Sequence, residues 1–256
     1  MAAYTYLIDQ MTWSYSRIKQ YEKCKYGFLL KYIFGEVEEP MFYSSFGSFA
    51  HELIADFYGE QKAIPEILVK FTTQYDTKVL GKAQNEAAGS IFKQQLLSYV
   101  LNMRQPKGKI TDIERKFMFN IGPYKFTAIA DMIEERDSKL LLIDHKSHRL
   151  KPFTKRAVPT KSDLELSDYL KQLYLYSFPV NEAYGRLPDV LAFNCYRFGE
   201  VVEVDFDNIK YAEAIDWILN KIEEIRKSSQ WEPCLDYFTC KYLCGMGDKC
   251  EYYSSV

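Results

Sequence analysis

The segment from Ile110 to Lys146 constrains the fold most, because it has the pattern of three successive β-strands joined by very short turns. The strands are predicted over Ile110–Asn120, Tyr124–Glu134 and Lys139–Lys146. Gly122-Pro123 and Asp137-Ser138 are the turn residues between them. The sequence therefore predicts a β-sheet in the middle of the chain.

Helical patterns lie on both sides of this sheet. Before it, the spacing of apolar residues predicts helices over residues 14–34, 46–59, 64–80 and 85–104. After it, the predicted elements are a helix over Ser167–Phe178 that Pro179 ends or kinks, strands over Val190–Tyr196 and Glu200–Phe206, and a helix over Ala212–Lys227. We expect an α/β fold with a mixed central sheet flanked by helices. Residues 1–256 form one domain, with a helical part (1–105), a sheet core (106–206) and a C-terminal helix with a cysteine-rich tail (207–256).

Composition excludes several classes of protein. Of the 256 residues, 47% are hydrophobic and 27% are charged, which is typical of soluble globular chains. The longest aliphatic run, residues 140–143, is far shorter than the ~20 residues of a membrane span, and the first six residues do not resemble a signal peptide. We therefore expect a cytoplasmic protein without membrane contact. The net charge is −2, so binding to a nucleic acid would require a local basic patch.

Two carboxylates are predicted to meet across the second turn. If Asp137-Ser138 is a two-residue hairpin loop, Asp131 lies opposite Asp144, and Lys146 points the same way as Asp144. Two oxygen ligands a few ångströms apart suit Mg²⁺ or Mn²⁺, which polarises a phosphodiester and lowers the pKa of a bound water. The alternative is a pair of solvated aspartates on an exposed strand, and a register error of one residue would separate them.

Three further features bear on this site. His51 lies in a helix between the small residues Gly47 and Ala55, and an imidazole beside two carboxylates would favour Mn²⁺; a structural histidine is the alternative. Gln172 and Tyr176 share one helix face at a spacing of four.

The third feature is a basic loop. Between His145 and Ser162 there is no acidic residue, and the cations include Lys146 and the candidate DNA-binding residues Arg149, Lys151, Lys155 and Arg156. Such a loop either neutralises phosphates, with Phe153 available to stack on a base, or is simply solvated.

Six cysteines without a signal peptide point to free thiols or metal ligands rather than disulfides. Cys240, Cys244 and Cys250 are close in sequence, and three thiolates require a fourth ligand, for which Cys24 and Cys234 are the candidates. Cys195 has the pattern of a small buried residue. A zinc ribbon more often has two C-x2-C pairs, and this chain has none.

The order of these motifs resembles the PD-(D/E)XK nucleases, in particular the RecB-like branch with an iron–sulfur cluster, which includes the AddB nuclease domain and the CRISPR-associated exonucleases. The matching segments are residues 14–32 with Cys24, the G-x3-H motif 47–51, the G-x-x-D motif 128–131, the D-x-K motif 144–146, the Q-x3-Y motif 172–176 and the last three cysteines. Ala128 replaces the usual Gly, Lys25 replaces a frequent Pro, and the C-x3-C spacing is one residue longer than usual.

The resemblance implies a restriction-endonuclease-like core and a metal-dependent DNA exonuclease. It implies that His51, Asp131, Asp144 and the carbonyl of His145 bind Mg²⁺ or Mn²⁺ and that Lys146 positions the attacking water. It further implies that Gln172 and Tyr176 organise the site. Cys24, Cys240, Cys244 and Cys250 are implied to bind a 4Fe-4S cluster, with Zn²⁺ as the alternative.

The resemblance places such a protein in recombination, CRISPR adaptation or phage DNA processing, with DNA and further proteins as partners. The rival hypothesis is a catalytically silent DNA-binding or scaffolding protein that keeps the fold and the cysteine-ligated metal.

Overall fold

The computed structural model describes residues 4–256. Its α-helices are α1 (Thr5–Asp9), α2 (Tyr15–Lys23), α3 (Lys25–Phe28), α4 (Phe42–Tyr58), α5 (Ile64–Lys78), α6 (Glu86–Leu101), α7 (Lys161–Tyr184) and α8 (Asn208–Lys227). Its strands are β1 (Lys109–Ile121), β2 (Tyr124–Arg136), β3 (Lys139–His145), β4 (Val190–Cys195) and β5 (Glu200–Asp205). Residues 1–3, part of the stretch in which we expect no signal peptide, lie outside the described residues.

The five strands form one mixed sheet in the order β1-β2-β3-β4-β5. The pairs β1–β2, β2–β3 and β4–β5 are antiparallel, whereas β3 and β4 run parallel. Helix α7 makes the crossover that a parallel pair requires. The predicted α/β fold with a mixed sheet flanked by helices is confirmed, and it fits a restriction-endonuclease-like core.

Neighbouring residues of β3 show that both sheet faces are covered. Leu142 is buried in the large core that α2, α7 and α8 form on one face. Ile143 points to the opposite face and packs in a smaller cluster with Tyr58 from the end of α4. Helices α4, α5 and α6 share a third cluster around Phe46 and Phe49. No helix of the described part of the chain is long and apolar enough to cross a membrane.

The first predicted helix is wrong in one respect, because it is interrupted at Cys24. This residue is extended (φ −160°, ψ 106°), and its Sγ caps α3 by accepting a hydrogen bond from the backbone N–H of Gly27. A π-helical turn over Leu29–Ile33 then continues to Gly35, which has the left-handed conformation that favours glycine. The thiol therefore lies at a corner between two helices.

The helix predicted over Ser167–Phe178 is longer at both ends. It begins at Lys161 because Thr160 and Asp163 form a capping box, and it ends at Tyr184 before Gly185 in the left-handed conformation. Pro179 lies inside it and does not end it. Lys161 therefore belongs to α7 and not to the basic loop.

Candidate active site

The β2–β3 hairpin has the register that the sequence predicts. Asp137 and Ser138 both have positive φ values of 53° and 64°, as a two-residue turn with matched twist requires. The paired residues run from Arg136↔Lys139 to Met132↔Ile143. Asp131 and Asp144 are therefore the next two residues beyond the pair Met132↔Ile143, one on each strand. The backbone N–H of His145 donates a 2.7 Å hydrogen bond to Asp131 Oδ2.

Three side chains form a candidate metal-binding group. His51, Glu114 and Asp131 each place a ligand atom within 4.8 Å of the others. The Nδ1 atom of His51 is 3.4 Å from Glu114 Oε1 and 3.6 Å from Asp131 Oδ1. Nitrogen and carboxylate oxygen are the ligand types that suit Mn²⁺, and oxygen alone suits Mg²⁺, so the chemistry of these donors fits a divalent cation.

Glu114 was not identified from the sequence. It lies on β1 opposite Asp131, because the pairs on either side are Ile113↔Met132 and Arg115↔Ala130. Its φ of 49° is uncommon for a residue other than glycine, and such backbone strain clusters at functional sites. An acidic residue in a strand gives no local signal of this position, although the register of the β1–β2 hairpin would have paired it with Asp131.

The electrostatics of this group reflect the concentration of negative charge. Burial, with the nearby Asp144, raises the pKa of Asp131 to about 7. Burial acts to lower the pKa of His51, but the hydrogen bond to Glu114 and the charges of Asp131 and Asp144 outweigh it and raise the pKa to about 9. Without a bound cation, the protonated His51 offsets part of this negative charge, and it must release a proton before its nitrogen can bind a metal.

Asp144 belongs to a second network that includes Lys146, Gln172 and Tyr176. Lys146 Nζ lies 2.7 Å from Asp144 Oδ2 and donates a 3.0 Å hydrogen bond to Gln172 Oε1. Gln172 Nε2 donates to Asp144 Oδ1 at 2.8 Å and to the Tyr176 hydroxyl at 3.3 Å. One amide thus contacts both the carboxylate and the ammonium, and α7 fixes their relative positions.

The Lys146 ammonium is held in its charged form. Burial alone lowers a lysine pKa, but the adjacent Asp144 outweighs burial here and the pKa of Lys146 is raised. Its Nζ also lies 5.1 Å from the centre of the Tyr169 ring. A permanently protonated amine can orient a water or stabilise negative charge, whereas it cannot accept a proton.

His145 contributes its backbone to the site and its side chain elsewhere. Its carbonyl oxygen lies 3.2 Å from His51 Nε2. The imidazole is buried on the other side, where Nδ1 is 3.1 Å from Asn194 Nδ2, and burial lowers its pKa well below the usual value. Asn194 in turn donates to the Tyr99 hydroxyl at 2.8 Å. His145 therefore contacts the site through its backbone, with its N–H on Asp131 and its carbonyl oxygen on His51.

These groups line one cavity of about 450 Å³. Ser14 and Ser16 at the start of α2 form one wall, with their hydroxyls 2.9 Å apart. Thr127 and Ile129 of β2 form another. The structure thus brings together His51, Asp131, Asp144, His145, Lys146, Gln172 and Tyr176 in a single cavity and adds Glu114.

The cations of the basic loop differ in whether a carboxylate neutralises them. Arg149 forms a two-pronged ion pair with Glu200, in which Nε is 2.8 Å from the carboxylate, so much of its charge is already neutralised. Lys151, Lys155 and Arg156 are exposed, and no carboxylate of residues 4–256 lies in ion-pair distance of them. Phe153 lies below Lys210, whose Nζ is 4.8 Å from the ring centre. The free cations of this loop are therefore Lys151, Lys155 and Arg156.

Five cysteines meet where the two ends of the described chain pack together. The Sγ of Cys24 accepts hydrogen bonds from the N–H groups of Gly27 and Cys234, both at 3.2 Å, and the Cys240 thiol donates to the Cys234 carbonyl at 3.1 Å. Burial, together with the neighbouring cysteines, raises the pKa of Cys240 to about 11. Thiols that share a site in this way are stabilised as thiolates by a cation, so the donor set fits a metal group.

The sixth cysteine is separate from this cluster. Cys195 is fully buried in β4, and its Sγ lies 3.4 Å from the backbone N of Leu150. The prediction that it is a small buried residue is confirmed.

Comparisons with known proteins identify the relatives of this chain. The sequence profile of the PD-(D/E)XK nuclease superfamily matches residues 12–252. A crystal structure from Eubacterium rectale, of a protein that carries the provisional name of an exonuclease, is similar over 92% of this chain and 90% of that one, with a TM-score of 0.52 and 12% identity. The structure of SSO0001 is 17% identical over 93% of this chain and 95% of that one, with a TM-score of 0.31. No curated protein matches the chain.

Proposed function

The chain belongs to the PD-(D/E)XK nuclease superfamily, and on that premise we propose that it is a metal-dependent DNA exonuclease acting on single strands or duplex ends. The observation that carries the proposal is the adjacency of Asp131, Asp144 and Lys146 in one cavity. The exonuclease name of the Eubacterium rectale protein supports digestion from strand ends. The whole of residues 1–256 is proposed as one nuclease domain.

We propose that Asp131, Asp144, His51 and the His145 carbonyl bind Mg²⁺ or Mn²⁺, with Glu114 as an additional ligand. When bound, this ion polarises the phosphodiester and lowers the pKa of a water. Asp131 keeps one oxygen occupied by the N–H of His145, which leaves its other oxygen toward His51 and Glu114. His51, Glu114 and Asp131 thus present one nitrogen and carboxylate oxygens close together, and Asp144 and His145 line the same cavity.

The remaining residues of the cavity position the attacking water and stabilise charge on the phosphate. Lys146, held protonated by Asp144, orients the attacking water and offsets negative charge that develops on the phosphate. Gln172 holds the Asp144–Lys146 pair, and Tyr176 limits the movement of Gln172. Lys151, Lys155 and Arg156 contribute phosphate contacts from the basic loop, with Arg149 in a lesser role because Glu200 neutralises it.

For the cysteine cluster we propose a 4Fe-4S group bound by Cys24, Cys240, Cys244 and Cys250. Cys24 Sγ accepts from the N–H of Cys234, and the Cys240 thiol donates to the Cys234 carbonyl, so cysteines from distant parts of the sequence lie together. A cluster bound by them would hold residue 24 to the cysteine-rich tail, and a tetrahedral Zn²⁺ is the alternative.

The test is a digestion assay without oxygen, with each divalent cation and with 5′- and 3′-labelled single- and double-stranded DNA. We expect release of nucleotides from linear strands that requires Mn²⁺ or Mg²⁺ and is absent on circular single strands. Cleavage of the circles would identify an endonuclease. Binding without metal-dependent cleavage would instead support the catalytically silent alternative.

A further inference from the structure

The catalytic cavity opens onto an exposed face of the β1–β2 hairpin that the proposed mechanism does not use. Pairs along this face are Lys116↔Ile129, Met118↔Thr127 and Asn120↔Lys125. All six side chains are exposed, whereas the residues between them, such as Phe117 and Phe126, are buried in the core on the other face. We call this set of six residues the hairpin platform.

The register makes the hairpin platform continuous with the candidate metal-binding residues. Glu114 lies two residues before Lys116 on β1, Asp131 lies two residues after Ile129 on β2, and both carboxylates line the catalytic cavity. Thr127 and Ile129 themselves line the catalytic cavity. A polymer held at the carboxylates would therefore extend directly along this face, which spans about 20 Å from residue 131 to residue 125 at ~3.4 Å per residue.

The charge and polarity of the hairpin platform fit an unpaired nucleic acid strand. No carboxylate of residues 4–256 lies in ion-pair distance of Lys116 or Lys125, in contrast to Arg115, which pairs with Asp112 at 2.6 Å. Between the two lysines, Met118 is 83% exposed and Ile129 is 40% exposed, and these two side chains are diagonal neighbours. Free cations beside an apolar surface suit phosphates and the faces of unstacked bases.

From this arrangement we propose that the hairpin platform is the binding track for the single strand that leads into the catalytic cavity. Lys116 and Lys125 contact phosphates, and Met118 and Ile129 contact bases. The inference rests on the proposed function and names its substrate more closely: a single-stranded end rather than an intact duplex. Farther along the sheet, Tyr58 at the end of α4 packs with Met132 and Ile143, whereas the hairpin platform stays exposed beside the cavity.

The first experiment measures binding and does not depend on cleavage. An oligothymidylate of about 20 nucleotides, labelled with a fluorophore, is titrated with the full chain in EDTA at several salt concentrations. We expect Lys116→Gln with Lys125→Gln to raise Kd roughly tenfold at ~0.1 M salt. The slope of log K against log salt should flatten by about 1.4, because each phosphate contact contributes about 0.7 on a single strand.

Two further variants separate charge from apolar contact. Met118→Ser should weaken binding without changing the salt slope, because no charge is removed. Lys82→Gln with Lys139→Gln is the matched control, since both lysines are exposed, neither is ion-paired among the described residues, and both lie off the hairpin platform. We expect the control to leave Kd within about twofold of the wild type.

A small substrate distinguishes this inference from the proposed function. Bis(4-nitrophenyl) phosphate reaches the catalytic cavity but is too short for the hairpin platform, so the lysine double variant should hydrolyse it at the wild-type rate.

Three binding results would overturn the inference. The first is equal binding of the oligonucleotide by the wild type and by both hairpin variants, even if cleavage occurs. A duplex bound more tightly than the single strand would also overturn it. The inference would also be overturned if the wild type is a dimer, Met118→Ser is a monomer, and both bind the oligonucleotide with the same affinity. If these variants lose binding and the wild type hydrolyses no substrate with any divalent cation, the exonuclease proposal is refuted and the binding track is still supported.

Discussion

The backbone N–H of His145 donates a hydrogen bond to the Asp131 carboxylate, and this bond joins the two strands that carry the candidate catalytic groups. It fixes the Asp131 carboxylate on β2 relative to Asp144 and Lys146, which are the two neighbours of His145 in the sequence. The donor is a main-chain atom, so the arrangement depends on the register of the hairpin and survives side-chain substitution at residue 145.

Removal of Asp144 or Lys146 should abolish cleavage while the fold survives. We expect Asp144→Ala and Lys146→Ala to lower Mn²⁺-dependent digestion by at least about 100-fold, because each removes charge at the reacting phosphate. Lys139→Ala, an exposed lysine on the same strand, is the control. Labelled DNA gives the rates and circular dichroism checks the fold. Undiminished cleavage by both variants would refute the catalytic assignment.

Gln172 should act by holding Asp144 and Lys146 together. Gln172→Met keeps the length of the side chain but removes its hydrogen bonds to Asp144, Lys146 and Tyr176, so we expect cleavage to fall about 10–100-fold with little change in KM. Gln95→Met provides a control, since that residue contacts Arg197 and lies outside the catalytic cavity. A large rise in KM at constant kcat would assign Gln172 to substrate binding instead.

Glu114 should contribute to metal affinity. We expect Glu114→Gln to weaken Mn²⁺ binding by roughly 10–100-fold, because it removes a negative donor from the group with His51 and Asp131. Calorimetric titration with Mn²⁺ measures this without any nucleic acid. Glu135→Gln on β2, which is exposed, should bind as the wild type does. Unchanged affinity in Glu114→Gln would remove this residue from the metal site.

The cysteine cluster should give a coloured protein that loses colour and stability with a ligand. Protein purified without oxygen should be brown and contain iron, and Cys250→Ala should be pale with a lower Tm, because the metal group joins distant parts of the chain. Cys195→Ala, in which the buried thiol of β4 is removed, should stay brown. A colourless wild type containing zinc would contradict the iron–sulfur assignment.

Asp163 should make stability depend on pH in the acid range. The N–H and hydroxyl groups of Thr154 and Thr160 donate hydrogen bonds to its carboxylate and hold its pKa well below the usual value. A depressed pKa contributes stability above the unfolded value of about 4, and this contribution is lost as pH falls through the folded pKa. The gap in urea midpoint between wild type and Asp163→Asn should therefore narrow from pH ~7 to ~3. Asp216→Asn should show no such change, and a constant gap would contradict the prediction.

The sequence is sufficient to predict the structure of the central β2–β3 hairpin, but it predicts the surrounding elements less completely. The Asp137-Ser138 turn allowed Asp131 and Asp144 to be paired, because a two-residue loop has one register. The Thr160-x-x-Asp163 capping box was present in the sequence and would have placed the start of α7 correctly. Pro179 was misleading, since the buried face of α7 stabilises the helix on both sides of it.

Other features depend on tertiary contacts that no local pattern encodes. The sequence groups Arg149 with the DNA-binding cations, but its ion-pair partner Glu200 lies on β5, far from this loop in sequence. The register of the β1–β2 turn pairs Glu114 with Asp131, but no local pattern indicates the left-handed backbone that Glu114 adopts in β1. Cys24 divides a helix that apolar spacing predicts to be continuous, because its thiol caps the next one.

Helix α2 connects the candidate active site to the cysteine cluster. Ser14 at its beginning lines the catalytic cavity, and Cys24 directly follows its end at the cysteine cluster. Nine residues of helix cover only about 14 Å. An insertion or deletion within this segment would therefore disturb the wall of the candidate active site and the cysteine cluster at once.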